Sequence, residues 1–206
     1  RLAVVTNVDP DHLEHHGSFE ALRASFDRFA GGVDGPVVIG IDDAEGAALA
    51  DRARRAGVDV RTVGTAVDAD WSIEELRESW EGVDFVLRGP TIASDPGLSV
   101  TLPVPGLHNA RNAASAAVLA LLVGADPDSV TEALARFGGV ARRFEHRGRA
   151  AGVVLVDDYA HLPAEVVATV RAAMSGNFDR LVAVFQPHRF SRTETLWSSF
   201  GSSFEG

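Results

Sequence analysis

Two residue types are missing from this chain, and each absence removes chemistry. There is no cysteine among its 206 residues, so disulfides, thiolate nucleophiles and zinc–thiolate centres are excluded. Lysine is absent as well: all 19 basic residues are arginine. The chain therefore carries no phosphate-loop lysine, no Schiff-base lysine and no carbamylated lysine. Any phosphate it holds is held by arginine, histidine or backbone N–H groups. A biased genome composition accounts for the arginine preference itself. No run approaches the ~18 apolar residues of a membrane span, so no membrane insertion is expected. No basic-then-apolar leader precedes the first strand-like run, which fits a cytoplasmic location. With 29 acidic residues the net charge is -10, and that balance argues against duplex nucleic acid as a partner.

What is present suffices for one large or two smaller domains with real cores, since 46% of the residues are hydrophobic. Both ends read as cut. The chain opens on Arg1 directly before the strand-like "LAVVTNV" and closes in "ETLWSSFGSSFEG". In that last segment Leu196, Phe200 and Phe204 recur every four residues, as on a helix without room to pack. The expectation is a piece of a larger protein.

Hydrophobic periodicity places a strand over residues 2–8 and a helix over 19–30 capped by Ser18, with Phe19, Leu22, Phe26 and Phe29 on one face. A buried-type strand "PVVIGID", a helix over about 44–56 and a strand "VDVRTVG" follow. Strand, helix, strand at this spacing signals a parallel sheet with helices on its faces. Residues 66–106 differ: "DFVLRG" and "LSVTLPV", separated by Gly, Pro and Asp, suggest an antiparallel addition. The Ala/Leu/Val-rich helix over 108–123 is expected to be nearly surrounded by protein. Another helix starts at Asp126-Pro127 and stops near Phe137 at Gly138-Gly139. After a boundary near Ala141 the pattern restarts: strand "GVVLVDD", helix 163–175 opening at Pro163, strand "RLVAVF", helix 193–204.

Four clusters carry residues suited to chemistry. "NVDPDHLEHHG" sets Asp9, Asp11, His12, Glu14, His15 and His16 after a strand, where carboxylates and imidazole can hold a divalent ion or simply form a polar loop. "GLHNARNAASAAVLALL" places His108, Asn109 and Asn112 at a helix start. Asn109 and Asn112 are three apart and share a face; their carboxamides suit an adenine edge or act as helix caps. "GGVARRFEHRG" offers Arg142, Arg143 and Arg147 for a phosphate or for an ion pair with Glu145. "VDDYAHLPAEV" ends a strand in two aspartates, then Tyr159 and His161, and one N-cap cannot account for both acids. On the next expected strand, "VFQPHRFSRT" brings His188, Arg189 and Arg192. The two loops are expected to lie side by side above one sheet edge, forming a crevice for a carboxylate or an acyl phosphate.

In this order, "HNARNAASAA", "FGGVARRFE", "DDYAHLPAE" and "VFQPHRFSRT" resemble the Mur ligase family over essentially the whole chain, most of all its alanine-adding branch. The last motif is the discriminating one. The resemblance implies an α/β fold. Residues 1–141 would be the later part of a P-loop-type central ATPase domain, a mostly parallel sheet with helices on both faces and some antiparallel strands. Residues 142–206 would be the first half of a Rossmann-like C-terminal domain. The phosphate loop, the magnesium-binding glutamate and a UDP-binding domain would precede Arg1. The implied reaction is ATP-dependent amide formation between UDP-N-acetylmuramate and L-alanine through an acyl phosphate, in peptidoglycan precursor synthesis. It demands charge neutralisation first on the phosphoryl oxygens and then on the tetrahedral intermediate. By the same resemblance His12 is a ligand to the second Mg2+, and His108, Asn109 and Asn112 read the adenine of ATP. Arg143 and Asp158 reach the nucleotide, and Tyr159, His161, His188, Arg189 and Arg192 wall the alanine and muramic carboxylate. Leu162 departs from the family, which usually has a second histidine there, and Glu14 stands where aspartate is commoner.

Two other readings remain at this level. One is a related ligase with a peptide acceptor, against which the "PHRFSRT" loop argues. The other is a nucleotide-binding module without chemistry, which a chain lacking the phosphate loop permits. The piece alone is not expected to turn over, and its oligomeric state is not legible.

Overall fold

A computed structural model describes residues 1–90 and 97–205. They form two compact units. The first comprises Arg1–Leu76, Asp84–Thr101 and Ala110–Ala135; the second comprises Arg77–Val83, Leu102–Asn109 and Arg136–Gly206.

The first unit begins with three parallel strands, β1 (Ala3–Val5), β2 (Val37–Gly40) and β3 (Val60–Gly64), in the register Ala3↔Val37 and Val37↔Val60. All four residues of β2 are buried, as befits a central parallel strand covered on both faces. Between β1 and β2 run α1 (Leu13–His16) and α2 (Phe19–Gly31); α3 (Ala44–Arg55) joins β2 to β3. Side chains cap both helix starts, Ser18 as expected and Asp43 in addition. Ser18 Oγ accepts from Ala21 N at 3.1 Å, and Asp43 Oδ1 accepts from Glu45 N and Gly46 N at 3.1 and 2.8 Å. Val5, Ile39, Leu49, Ala53 and Val60 form a core against which Phe19 and Phe26 pack, whereas Phe29 is exposed. Arg23–Glu45 and Arg52–Asp27 ion pairs link α2 to α3.

The sheet continues in the order β1-β2-β3-β4-β5-β6. β4 (Trp71–Ser79) is parallel to β3, but only two residues separate it from β5 (Gly82–Arg88), so that pair is an antiparallel hairpin. β6 (Leu98–Leu102) runs against β5: Thr101 Oγ1 donates to Asp84 at 2.6 Å, while Gly97 lies beside the Leu87 carbonyl. The antiparallel addition is therefore present. The Pro/Asp-rich connection expected before β6 falls largely on 91–96, outside the described residues. β4 was not anticipated: only Trp71 and Ile73 at its start are buried, and its charged remainder resembles a loop in sequence.

α4 (Leu107–Leu122) and α5 (Pro127–Ala135) follow, the latter capped by Asp126 Oδ2 on Ser129 N at 3.0 Å. The expectation that α4 is nearly surrounded is not met. Ala110, Ala113, Ala114, Ala117 and Val118 make one buried stripe, while Asn112, Ala116 and Val123 are exposed. Its apolar residues are mostly alanines, and the buried ones share one side of the helix. Among the described residues no helix is long and apolar enough to cross a membrane.

In the second unit β7 (Glu145–Ala150) pairs antiparallel with β8 (Val153–Asp157). The turn Ala151-Gly152 has positive φ at both residues, 49° and 80°, as a type I′ hairpin requires. β7 is polar and mostly exposed, so its sequence carried no strand period. α6 (Pro163–Met174) and α7 (Phe190–Phe200), followed by a 3-10 turn at Gly201–Phe204, complete the unit. Two expectations are corrected here. "RLVAVF" is not a strand: it joins no ladder among the described residues, and Val182 and Val184 are exposed. A strand is stable only when its N–H and C=O groups find a neighbouring strand. The chain end, conversely, does pack. Phe200 is buried with Val166 and Val170 of α6, Leu196 lies against them, and Phe185 rests on Phe200 and Phe204 at 5.2 and 5.5 Å between ring centroids.

Candidate functional site

The loop between β8 and α6 is fixed by its own polar groups. Asp158 spends both oxygens on backbone, Oδ2 accepting from Phe144 N at 2.8 Å and Oδ1 from Ala160 N at 2.7 Å. Tyr159 N donates to the Arg142 carbonyl at 2.8 Å. These bonds clamp residues 158–160 to the 142–144 segment, where Arg142 and Phe144 both have left-handed φ of 59° and 49°. Such a conformation is disfavoured for side-chain-bearing residues and persists because surrounding bonds determine it. Phe144 is buried beside Ala172, Ala173 and Trp80, which anchors the segment from below.

Three rings gather above this clamp. Tyr159 lies 5.1 Å from His161 and 5.8 Å from His188, and the two histidines are 5.9 Å apart, centroid to centroid. The convergence of the two motif loops is therefore realised although the second strand is not formed; Phe185, held by the aromatic contacts of α7, places the 184–189 segment instead. The Arg142 guanidinium stacks 4.5 Å over the Tyr159 ring. Arg192, one turn along from His188, brings Nη1 within 3.3 Å of the His188 carbonyl and 3.2 Å of its Nδ1. Arginine only donates, so His188 Nδ1 accepts and its ring proton sits on Nε2. Arg189 immediately precedes α7 with φ 69°.

Glu165, in the first turn of α6, is a residue the sequence reading passed over. Its Oε2 accepts from His161 N at 2.8 Å and Leu162 N at 3.1 Å, and its Oε1 pairs with Arg143 Nη1 at 3.2 Å. A glutamate three residues after the cap position is a sequence-level helix-start signal and could have been found that way. Partial burial pushes its carboxyl up, but the two backbone N–H groups, the nearby His161 and Arg143 together outweigh that and hold it below the usual glutamate range. Glu145 is likewise held low, chiefly by the Arg142 backbone N–H and then by Arg147.

At the start of α4 the Asn109 carboxamide donates to the Pro105 carbonyl at 2.7 Å, so one of its hydrogens already serves the entry turn. Gly106 has φ 100°, and a Cβ there would lie 2.7 Å from the His108 ring; only glycine fits. Asn112 is exposed on the same helix. Between the asparagines stands Arg111, also missed. Its Nε donates at 2.5 Å to Asp42, a carboxylate 8% exposed that accepts as well from Thr65 N and Oγ1 at 2.7 and 2.9 Å. This ties α4 to the C-terminal ends of β2 and β3.

His12 and Asn112 belong to the first unit; the other nine singled-out residues belong to the second. His12 precedes α1 with Nε2 3.3 Å from Asp11 Oδ2 and Nδ1 3.9 Å from Glu14 Oε1. Its ring nitrogens thus face carboxylates of their own loop. Among the described residues no group of three His, Asp or Glu converges on one point, so these residues do not fit a divalent ion by themselves.

The model of the Mur ligase middle domain matches residues 1–120, more than half of the chain. The chain belongs to the Mur ligase family. Residues 142–206 of this Mur ligase chain match a second model, that of the Mur ligase glutamate ligase domain. Its curated relatives include a UDP-N-acetylmuramate–L-alanine ligase of Kineococcus radiotolerans, 47% identical over 96% of this chain and 42% of that protein. The enzyme of the same name from Thermobifida fusca is 40% identical over 98% of this chain and 44% of its own length. The chain thus spans less than half the length of these relatives. Among solved structures, UDP-N-acetylmuramate-alanine ligase of Thermotoga maritima superposes with a TM-score of 0.76 at 28% identity, over 99% of this Mur ligase chain and 43% of that one. A UDP-N-acetylmuramoylalanyl-D-glutamyl-2,6-diaminopimelate–D-alanyl-D-alanyl ligase of Acinetobacter baumannii, 19% identical, shares the fold with a TM-score of 0.69 over 85% of this chain and 37% of its own. The α/β reading, a mainly parallel sheet with antiparallel strands, is borne out.

Proposed function

We propose that the protein to which this chain belongs joins L-alanine to the carboxylate of UDP-N-acetylmuramate, with ATP converted to ADP and phosphate, in peptidoglycan precursor synthesis. The observation that carries this reading is the gathering of Tyr159, His161, His188 and Arg192 from two separate loops into one cluster. The names of its relatives, which cover the whole of this cluster, support the substrate pair. In this reading Arg189 and Arg192 receive the muramic carboxylate and then the acyl-phosphate oxygens, because a guanidinium fork binds two oxygens at once. Tyr159, His161 and His188 wall the alanine. His108, Asn109, Asn112, Arg143 and Asp158 would hold the nucleotide, with Asn109 reading adenine through the carboxamide atoms that Pro105 leaves over. Mg2+ accompanies the nucleotide; since the His12 loop does not fit the ion alone, no step is assigned to it. The reading carries with it a cytoplasmic location and a domain junction at 141–142.

The test is phosphate release by the full-length protein. It is expected only when ATP, UDP-N-acetylmuramate and L-alanine are all supplied. Release with a peptide acceptor and none with L-alanine would replace this reading by a peptide-adding ligase, and nucleotide binding without any turnover would reduce it to a binding module.

A further inference from the structure

Glu165 meets two groups that the proposed function assigns to different ligands. One carboxylate oxygen faces Arg143, on the nucleotide side of that reading, at 3.2 Å. The other accepts the backbone N–H groups of His161 and Leu162 and lies 3.3 Å from His161 Nδ1, on the acceptor side. His161 Nδ1 is also 2.8 Å from the Tyr159 carbonyl. A carbonyl only accepts, so Nδ1 carries the hydrogen of the Tyr159 bond, and the ionised Glu165 oxygen 3.3 Å away favours a hydrogen there electrostatically. In its neutral form the ring then has its lone pair on Nε2. His188 has the reverse arrangement, with Arg192 against Nδ1 and the proton on Nε2. The His161 side chain is only 15% exposed, so little solvent competes for these positions.

We propose that Glu165 is a positioning residue: it ties Arg143 to the His161 loop and, with the Tyr159 carbonyl, keeps the His161 proton on Nδ1, so that Nε2 is the nitrogen offered to an incoming amine. The amine of an amino acid must shed a proton to attack a carbonyl, and a neutral Nε2 is suited to accept it. The two neighbouring histidines would thus present opposite polarity to one substrate. This inference rests on the proposed ligase reading only for the identity of the amine and the nucleotide.

The decisive variant is Glu165→Gln in the full-length protein. The glutamine oxygen can still accept both backbone N–H groups, so the helix start is kept, but its NH2 group turns a donor toward Arg143. A mere helix cap would tolerate this. A positioning role predicts at least a tenfold loss of kcat/KM for ATP-dependent ligation, with thermal unfolding close to that of the wild type. Glu165→Gln combined with Arg143→Ala should fall within twofold of Arg143→Ala alone, because residues acting through one another are not additive. Kinetics of Glu165→Gln within twofold of wild type, or losses that multiply in the double variant, would overturn the role. The tautomer is read independently of turnover by 15N NMR of histidine-labelled protein, where His161 should show Nδ1–H. A proton on Nε2 overturns the inference even in an active ligase. Failure of wild-type protein to ligate would strike the functional reading and leave the NMR result to stand or fall alone.

Discussion

Arg192 and Arg111 show how differently two arginines of one sequence are employed. Arg192 contacts His188 and belongs to none of the hydrophobic clusters, so removing it leaves those clusters untouched. Arg192→Ala is expected to lower the ligation rate of the full-length protein roughly a hundredfold or more, the scale of a lost transition-state hydrogen-bond donor. A near-normal rate in a phosphate-release assay would remove Arg192 from the reacting site. Arg111, by contrast, completes the partners of the buried Asp42. Arg111→Ala should cost about 1–3 kcal/mol, since a buried carboxylate is left short of a donor. Urea unfolding checks this, and an unchanged midpoint would show that Thr65 and Ala66 satisfy Asp42 without help. Position 111 gave no such signal in sequence, because its partner lies 69 residues away.

At the level of elements, β4 and β5 meet around Trp71, whose indole lies across the backbone of Gly89; a Cβ at that glycine would come within 2.2 Å of the ring. Trp71 is fully buried and rigid, so it cannot yield as a flexible side chain would. Gly89→Ala is therefore expected to destabilise the first unit by about 1–3 kcal/mol, the usual range for overpacking. A melting temperature equal to wild type would show that the strand end moves aside. The segment 180–189 teaches the converse. Its apolar run matches a buried strand, yet pattern alone cannot supply the neighbour a ladder needs, and Val184 remains exposed. What survives is one side chain of that run, Phe185, packed on Phe200 and Phe204, and this contact delivers His188 to Tyr159 and His161.

For the molecule as a whole, the acid limb of stability should report the Glu165 network. Its carboxyl titrates below its ordinary range in the folded state, because the His161 and Leu162 N–H groups, His161 and Arg143 outweigh the effect of burial. A group depressed on folding contributes stability that is complete above its unfolded value, about 4.3, and is lost as pH falls through the folded value. Wild-type protein should therefore lose more of its urea midpoint between pH 6 and pH 3 than Glu165→Gln does. Identical slopes would mean that the carboxylate is no better placed in the folded chain than in the unfolded one. Glu45, Glu74 and Glu145 are also held low, by Arg23, by Ser72 and Arg88, and by the Arg142 backbone and Arg147, and contribute to the same acid limb.

The sequence by itself determined the parallel strand–helix–strand core, because Val37, Val38 and Ile39 are apolar without interruption, and it placed Ser18 and Asp126 where helices need caps. It also singled out Tyr159, His161, His188 and Arg192 as candidates for the chemistry, since they stand in short motifs whose composition no core requires. Only the tertiary structure decided that β4 and β7 are strands, because their charged residues hide the period and pairing is a property of two segments. It alone decided the histidine polarities. A ring proton goes where the surrounding acceptors are, and Glu165, the Tyr159 carbonyl and Arg192 become its neighbours only when the loops have folded together.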